Sequence, residues 1–276
     1  MTTMTRRSFN AAAASAGFAL AVRPVSAETI STPDAGLVAG MVTIPASGIA
    51  MNAYRAVPEG KADAPVILVV QEIFGLHEHI RDVCRRFARE GFCAIAPDLY
   101  QRQGDATAIA DINTLVETIV AKVPDAQVMA DLDATLEWAR GQGADADRAG
   151  VTGFCWGGRA TWLYAHHRPA LKAGVAWYGR LVGDANDLRP KHPVDIGAAL
   201  TVPVLGLYGG ADRGIPVETV DQMRAEIAKS ASGSDIVLYP DAPHGFFADY
   251  RETFRAEVAV DAWQRCLAWF RDHGLA

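Results

Sequence analysis

The chain has 276 residues, half of them hydrophobic and 21% charged, enough to bury a sizeable core in one domain of ordinary globular composition. A net charge of −6, with no basic stripe, excludes nucleic acid as a partner, and four cysteines in so long a chain do not make a disulfide framework. No repeat, low-complexity tract or metal-binding spacing stands out, so neither a solenoid nor a metal or cofactor site is expected.

The first residues read as a targeting segment. Thr5-Arg6-Arg7-Ser8-Phe9 is a twin-arginine pattern, an alanine-rich apolar run follows over residues 11–22, and Val25-Ser26-Ala27 offers a small-x-small cleavage site. Residues 1–27 are expected to be removed by the twin-arginine export machinery, leaving a periplasmic chain that begins at Glu28. The run is too short and too weakly apolar to stay in a membrane.

After this leader the pattern alternates between strands and helices. Residues 40–55 predict a hairpin interrupted at Pro45 and Gly48. Residues 64–70 (Ala-Pro-Val-Ile-Leu-Val-Val) form a continuous apolar run suited to a strand buried on both faces. Leu76, Ile80, Val83, Cys84, Phe87 and Ala88 recur at helical spacing, so Cys84 points inward. His77 and His79, two apart on that helix, are expected to diverge. A short strand at 92–97 contains Cys93, and two helices follow, one carrying Ile109 to Val120, the other Met129 to Ala139. Residues 171–178 and 202–208 predict further strands, with 190–199 as irregular surface chain between them. A helix at 217–228, a strand at 235–239 and a last helix that buries Trp263, Cys266 and Phe270 complete the chain. This alternation predicts one doubly wound, mainly parallel α/β domain over residues 28–276.

The chemistry is expected at the carboxyl ends of the strands. Gly153-Phe154-Cys155-Trp156-Gly157 has the form Gly-x-nucleophile-x-Gly between a strand and a helix, the nucleophile elbow, with cysteine where serine is usual. Gly153 and Gly157 are required where strand and helix cross closely. Asp212 follows a later strand and His244 the next, giving the chain order nucleophile, acid, histidine that belongs to α/β-hydrolases. Asp212 would orient the imidazole and His244 would act as the base; Asp241, on the histidine's own loop, is the rival acid. Glu72, directly after a buried central strand, would be an uncommon carboxylate unless paired, and is expected to face Cys155 and govern its ionisation.

Gln71-Glu72-Ile73-Phe74-Gly75, Ala96-Pro97-Asp98-Leu99-Tyr100 with Arg102, the elbow, the Asp212 loop and His244-Gly245-Phe246 together resemble the dienelactone hydrolase family. The resemblance implies an α/β-hydrolase fold, a Cys155-His244-Asp212 triad, and a Glu72 that holds the resting thiol and takes its proton when substrate binds. It further implies an oxyanion hole from the backbone N–H groups of Ile73 and Trp156, and substrate contacts at Tyr100 and at Arg102, which would pair with a substrate carboxylate. A second family arginine is Ala248 here, and Arg251 is the candidate replacement, with a solvated helix-start charge as its alternative role. The expected activity is hydrolysis of a small-molecule ester or lactone, without cofactor, by a monomer. A silent binding protein on the same scaffold and a thiol redox protein are the competing readings.

Overall fold

The computed structural model describes residues 30–276; the twin-arginine pattern and the cleavage site lie outside them. The 40–55 pattern resolves into a hairpin of β1 (Leu37–Ala46) and β2 (Ile49–Pro58), turning at Ser47 and Gly48, both with positive φ. The continuous apolar runs become β3 (Pro65–Val70), β4 (Cys93–Pro97), β6 (Ala173–Trp177) and β7 (Val204–Gly209), each buried at every position. They are joined by β5 (Asp145–Phe154) and β8 (Asp235–Tyr239) in one eight-stranded sheet of order β1-β2-β4-β3-β5-β6-β7-β8. β1, β2 and β4 pair antiparallel, and every pairing from β4 through β3 to β8 is parallel.

Parallel strands need crossovers, and helices supply them: α1 (Glu78–Arg89), α2 (Ile112–Thr118), α3 (Asp125–Gly141), α4 (Trp156–His167), the short α5 (Pro193–Ile196), α6 (Val217–Ile227) and α7 (Ala256–Asp272). Alternation along β5 shows the two covered faces. Gly150 lies under Phe270 of α7, whereas Gly153, of opposite parity, lies against Gly157 and Thr161 of α4. Phe87 of α1 meets Trp263 and Phe270, with ring centroids 4.6 and 6.1 Å away, which puts α1 on the α7 face. The 190–199 stretch is not irregular surface chain: it forms α5 and a 3-10 turn, with His192 and Ile196 buried. Pro193 at the first helical position and Asp195 closing a capping box on His192 are the local reasons.

The sheet's chain order reverses at β3, which has β4 on one side and β5 on the other. The crevice above the carboxyl ends of β3 and β5 is where such sheets bind ligands. Among the described residues no helix is long and apolar enough to cross a membrane, and no cluster of His, Cys, Asp and Glu could hold a metal.

Packing at this crevice is tight. A Cβ on Gly157 would stand 2.4 Å from the Val70 carbonyl oxygen and 2.5 Å from that of Gln71, so α4 rests directly on the end of β3. Backbone cannot yield as a flexible side chain does. Gly157→Ala is therefore expected to cost about 3 kcal/mol, a fall of roughly 6–10 °C in a thermal unfolding scan.

Candidate active site

β5 ends at Phe154, and the chain turns at once into α4. Cys155 makes that turn with φ 55° and ψ −111°, a region that non-glycine residues occupy at a cost of order 1–3 kcal/mol. Its backbone N–H donates to the Trp177 carbonyl and its own carbonyl accepts from Gly158, so both neighbouring elements hold the turn. The residue is almost fully buried but lines a cavity of about 440 Å³.

His244 reaches the same cavity from the loop after β8. Two backbone bonds join that loop to the one after β7: Gly210 N–H to Tyr239 O at 2.8 Å and Ala211 N–H to Ala242 O at 3.1 Å. Across them, Asp212 Oδ2 lies 2.7 Å from His244 Nδ1, and both residues are buried. Asp212 Oδ1 meanwhile accepts from Gly214 N–H at 2.8 Å, so one carboxylate shapes its own turn and orients the imidazole. The exposed Asp241 does neither. Burial alone would lower the His244 pKa, but the charge of the Cys155 sulfur, then the charge and hydrogen bond of Asp212 and a hydrogen bond with Cys155, push it up to about 10.

Ile73 and Trp156 both line the cavity beside Cys155. Trp156 is the first residue of α4, where an N–H has no acceptor within the helix and the helix dipole is positive. Their N–H groups are the two that the family resemblance assigned to an oxyanion hole.

Glu72 behaves differently from the expectation. It is fully buried, and its close partners are other side chains: Tyr250 Oη donates to Oε2 at 2.5 Å, His77 Nε2 lies 3.3 Å from Oε2, and Arg251 Nη2 lies 3.5 Å from Oε1. Burial would raise its pKa, yet the Arg251 guanidinium and then His77 hold it well below the usual carboxylate range. The resting sulfur interacts with His244, and the Glu72 charge is neutralised by Arg251. Arg251 is accordingly neither a solvated charge nor a cavity wall. It is 1% exposed, stacked over Phe74 and Tyr250 at 5.0 and 5.3 Å from their ring centroids. Gly245, at φ +72°, brings the loop close enough that a Cβ there would stand 3.2 Å from Arg251 Nη1. His77 and His79 do not diverge either. His77 is the N-cap of α1 rather than a helical residue, so its ring turns back to lie 6.1 Å from that of His79, with an interplanar angle of 18°. His79 in turn pairs with Asp249 at 3.2 Å.

Arg102 is spent elsewhere. Its guanidinium forks onto Asp131 of α3 at 2.5 and 3.0 Å and donates to the Ala46 carbonyl, tying the β1–β2 hairpin to the helix layer. It does not line the cavity, and neither does Tyr100, which is fully buried with its ring edge-on to Trp156 at 4.9 Å. The cavity's cations are Arg159 of α4 and, from the segment after β6, Arg180 and Arg189, with Asp184 and His192 also in its lining. Arg159 of α4 anchors this segment. It forks onto Asp125 at 2.7 and 2.8 Å, donates to Lys191 O, and donates through Nε to His192 Nδ1 at 3.4 Å. Opposite it, Ile112, Val116 and Val120 make an apolar wall. Sequence reasoning missed Tyr178, Arg180 and Arg189; the first two sit at the carboxyl end of a strand it had located, and that position was the available signal. Cys84, Cys93 and Cys266 are buried and unbridged, as is Cys155.

A buried ion pair is costly to break on one side. Glu72→Gln would leave the Arg251 charge uncompensated and is expected to destabilise the fold by about 3–5 kcal/mol in a denaturant titration. Glu72→Gln combined with Arg251→Met should recover much of that loss; additive losses would show the two side chains to be uncoupled.

Comparison with known proteins agrees with this geometry. The family described as "Dienelactone hydrolase family" matches residues 51–274. A protein of Methylorubrum extorquens described as "Putative carboxymethylenebutenolidase" is 57% identical over all of this chain and 95% of its own length. One of the same description from Escherichia coli strain K12 is 54% identical over 94% of this chain and 96% of its own length. A crystal structure described as "Putative Dienelactone Hydrolase" from Klebsiella pneumoniae superposes with a TM-score of 0.84 at 56% identity, covering 85% of this chain and 98% of that one. The acylaminoacyl peptidase of Pyrococcus horikoshii, at 15% identity over 86% of this chain and 41% of its own, shares the fold alone, with a TM-score of 0.67. The fold is that of the α/β-hydrolases, and the match runs through the elbow, both late loops and the Glu72 turn: the chain belongs to the dienelactone hydrolase family.

Proposed function

We propose that the protein hydrolyses ester or lactone bonds through a covalent thioester on Cys155, with His244 and Asp212 as its base and orienting acid. The observation that carries this reading is the pairing of a strained, cavity-lining cysteine with a buried imidazole whose far nitrogen is held 2.7 Å from a carboxylate. The Cys155 sulfur attacks the acyl carbon, and the carbonyl electrons move onto oxygen, where the N–H groups of Ile73 and Trp156 receive the charge. Such donors are worth about 3–4 kcal/mol each. As the C–O bond breaks, the imidazolium of His244 gives its proton to the departing oxygen. The neutral imidazole then takes a proton from water, whose oxygen attacks the thioester. The C–S bond breaks, the acid leaves, and the sulfur–imidazolium pair is restored.

The cavity fits a small substrate with an apolar body against Ile112, Val116 and Val120 and an anionic substituent towards Arg180 and Arg189. Arg102 is not needed for this.

We also propose that the chain is exported through its twin-arginine leader. The mature protein recovered from the periplasm should begin at Glu28; a cytoplasmic chain retaining Met1 or Thr2 would remove the proposal.

The activity is tested with a panel of aryl esters and lactones. Cys155→Ala is expected to abolish turnover and Cys155→Ser to leave only a small residue, since a hydroxyl does not ionise against His244 as a thiol does. Turnover retained in the alanine variant would end the reading.

A further inference from the structure

Among the described residues four non-glycine residues have positive φ: Ser47, Asp63, Cys155 and Tyr178. Ser47 and Asp63 lie in surface bends, where such conformations are common. The other two line one cavity. Tyr178, at φ 37°, ends β6 as Cys155 ends β5, and the parallel register Phe154↔Trp177 places the two residues side by side on adjacent strands.

The backbone reason is a second close crossing. Gly179 lies against Gly158 and Arg159 of α4, where an added Cβ would stand 2.3 Å from the Arg159 nitrogen, so the chain must bend sharply just before it. Glycine is the low-strain residue for such a bend, and a bulky aromatic there calls for a reason. Packing supplies half of one. The ring is fully buried, edge-on to His244 at 5.1 Å and to Phe246 at 5.2 Å. Phenylalanine would serve that packing equally well. The hydroxyl is what packing leaves unexplained, because it is buried and has no hydrogen-bond partner among the described residues.

We propose that Tyr178 is a further catalytic residue, whose hydroxyl donates a hydrogen bond to the departing oxygen of the substrate. The acyl oxygen is already served from the β3 and α4 side by Ile73 and Trp156. Tyr178 ends β6, on the opposite side of β5 from β3, and its ring lies against the imidazole that would protonate the departing oxygen. Its hydroxyl stays protonated because burial, and then the nearby Glu72 charge, raise its pKa well above the usual phenol range. It therefore donates without giving up its proton: His244 transfers the proton, and Tyr178 spreads the charge that develops on the same oxygen as the C–O bond breaks.

The inference rests on the hydrolase reading, and Tyr178→Phe tests it on paired ethyl and p-nitrophenyl esters of one acid. An alkoxide leaving group carries far more charge than a nitrophenolate. The variant should lose about tenfold or more in kcat/KM on the ethyl ester and less than about threefold on the p-nitrophenyl ester. Its melting temperature should not fall, since the lost oxygen bonds nothing within the described fold. Equal losses on both esters, no loss on either, or a drop of several degrees in melting temperature would each overturn the assignment while leaving the hydrolase reading standing. A wild-type protein that hydrolyses neither ester would bring down that reading, and this inference with it.

Discussion

The structure depends on how closely helix α4 is pressed onto the ends of β3 and β6. Gly157 touches the backbone of Val70 and Gln71, Gly158 touches that of Trp177 and Gly179, and no side chain fits in either contact. With the helix so close, the one residue between β5 and α4 has to take a positive φ, which raises Cys155 out of the sheet and towards the cavity. The same contact bends the chain at Tyr178 and brings the first N–H of α4 beside Cys155. A single steric constraint thus places the sulfur, the first N–H of α4 and an aromatic wall together, before any hydrogen bond among side chains is counted.

Much of this was legible in the sequence because it is written in backbone requirements. Gly-x-Cys-x-Gly after an apolar run states a strand-to-helix turn, and the order of Cys155, Asp212 and His244 along successive strands states which loops must meet. The strands themselves are continuous apolar runs, the pattern expected when both faces are covered. What sequence could not state was the partner of each charge. Arg102, Arg251 and Glu72 are all long side chains near the right strand ends, and a cation within reach of a carboxylate goes to whichever one is buried closest. Asp131 on α3 is fully buried and takes Arg102; Glu72 takes Arg251. Neither pairing has a local sequence signature, because the partners lie 29 and 179 residues apart along the chain.

Glu72 is held by a network of its own. The family resemblance implied a glutamate that holds the resting thiol; here Tyr250 and His77 meet Oε2 of that carboxylate and Arg251 faces Oε1. With its charge satisfied on that side, the pairing of the sulfur falls to His244, whose pKa is raised to about 10 by the Cys155 and Asp212 charges in spite of its burial. The knot of Glu72, Arg251, Tyr250 and His77 then serves as a rigid floor immediately before Ile73.

The distribution of sulfur has a practical side. Cys84, Cys93 and Cys266 have no accessible surface, packed into helix faces and a central strand, while Cys155 alone of the four opens onto a cavity. In the folded protein a small alkylating reagent meets one thiol, and the others become available only when the core comes apart. The molecule therefore carries its own titrant for the folded state: one equivalent of label per chain marks the intact cavity, and any excess reports unfolded copies.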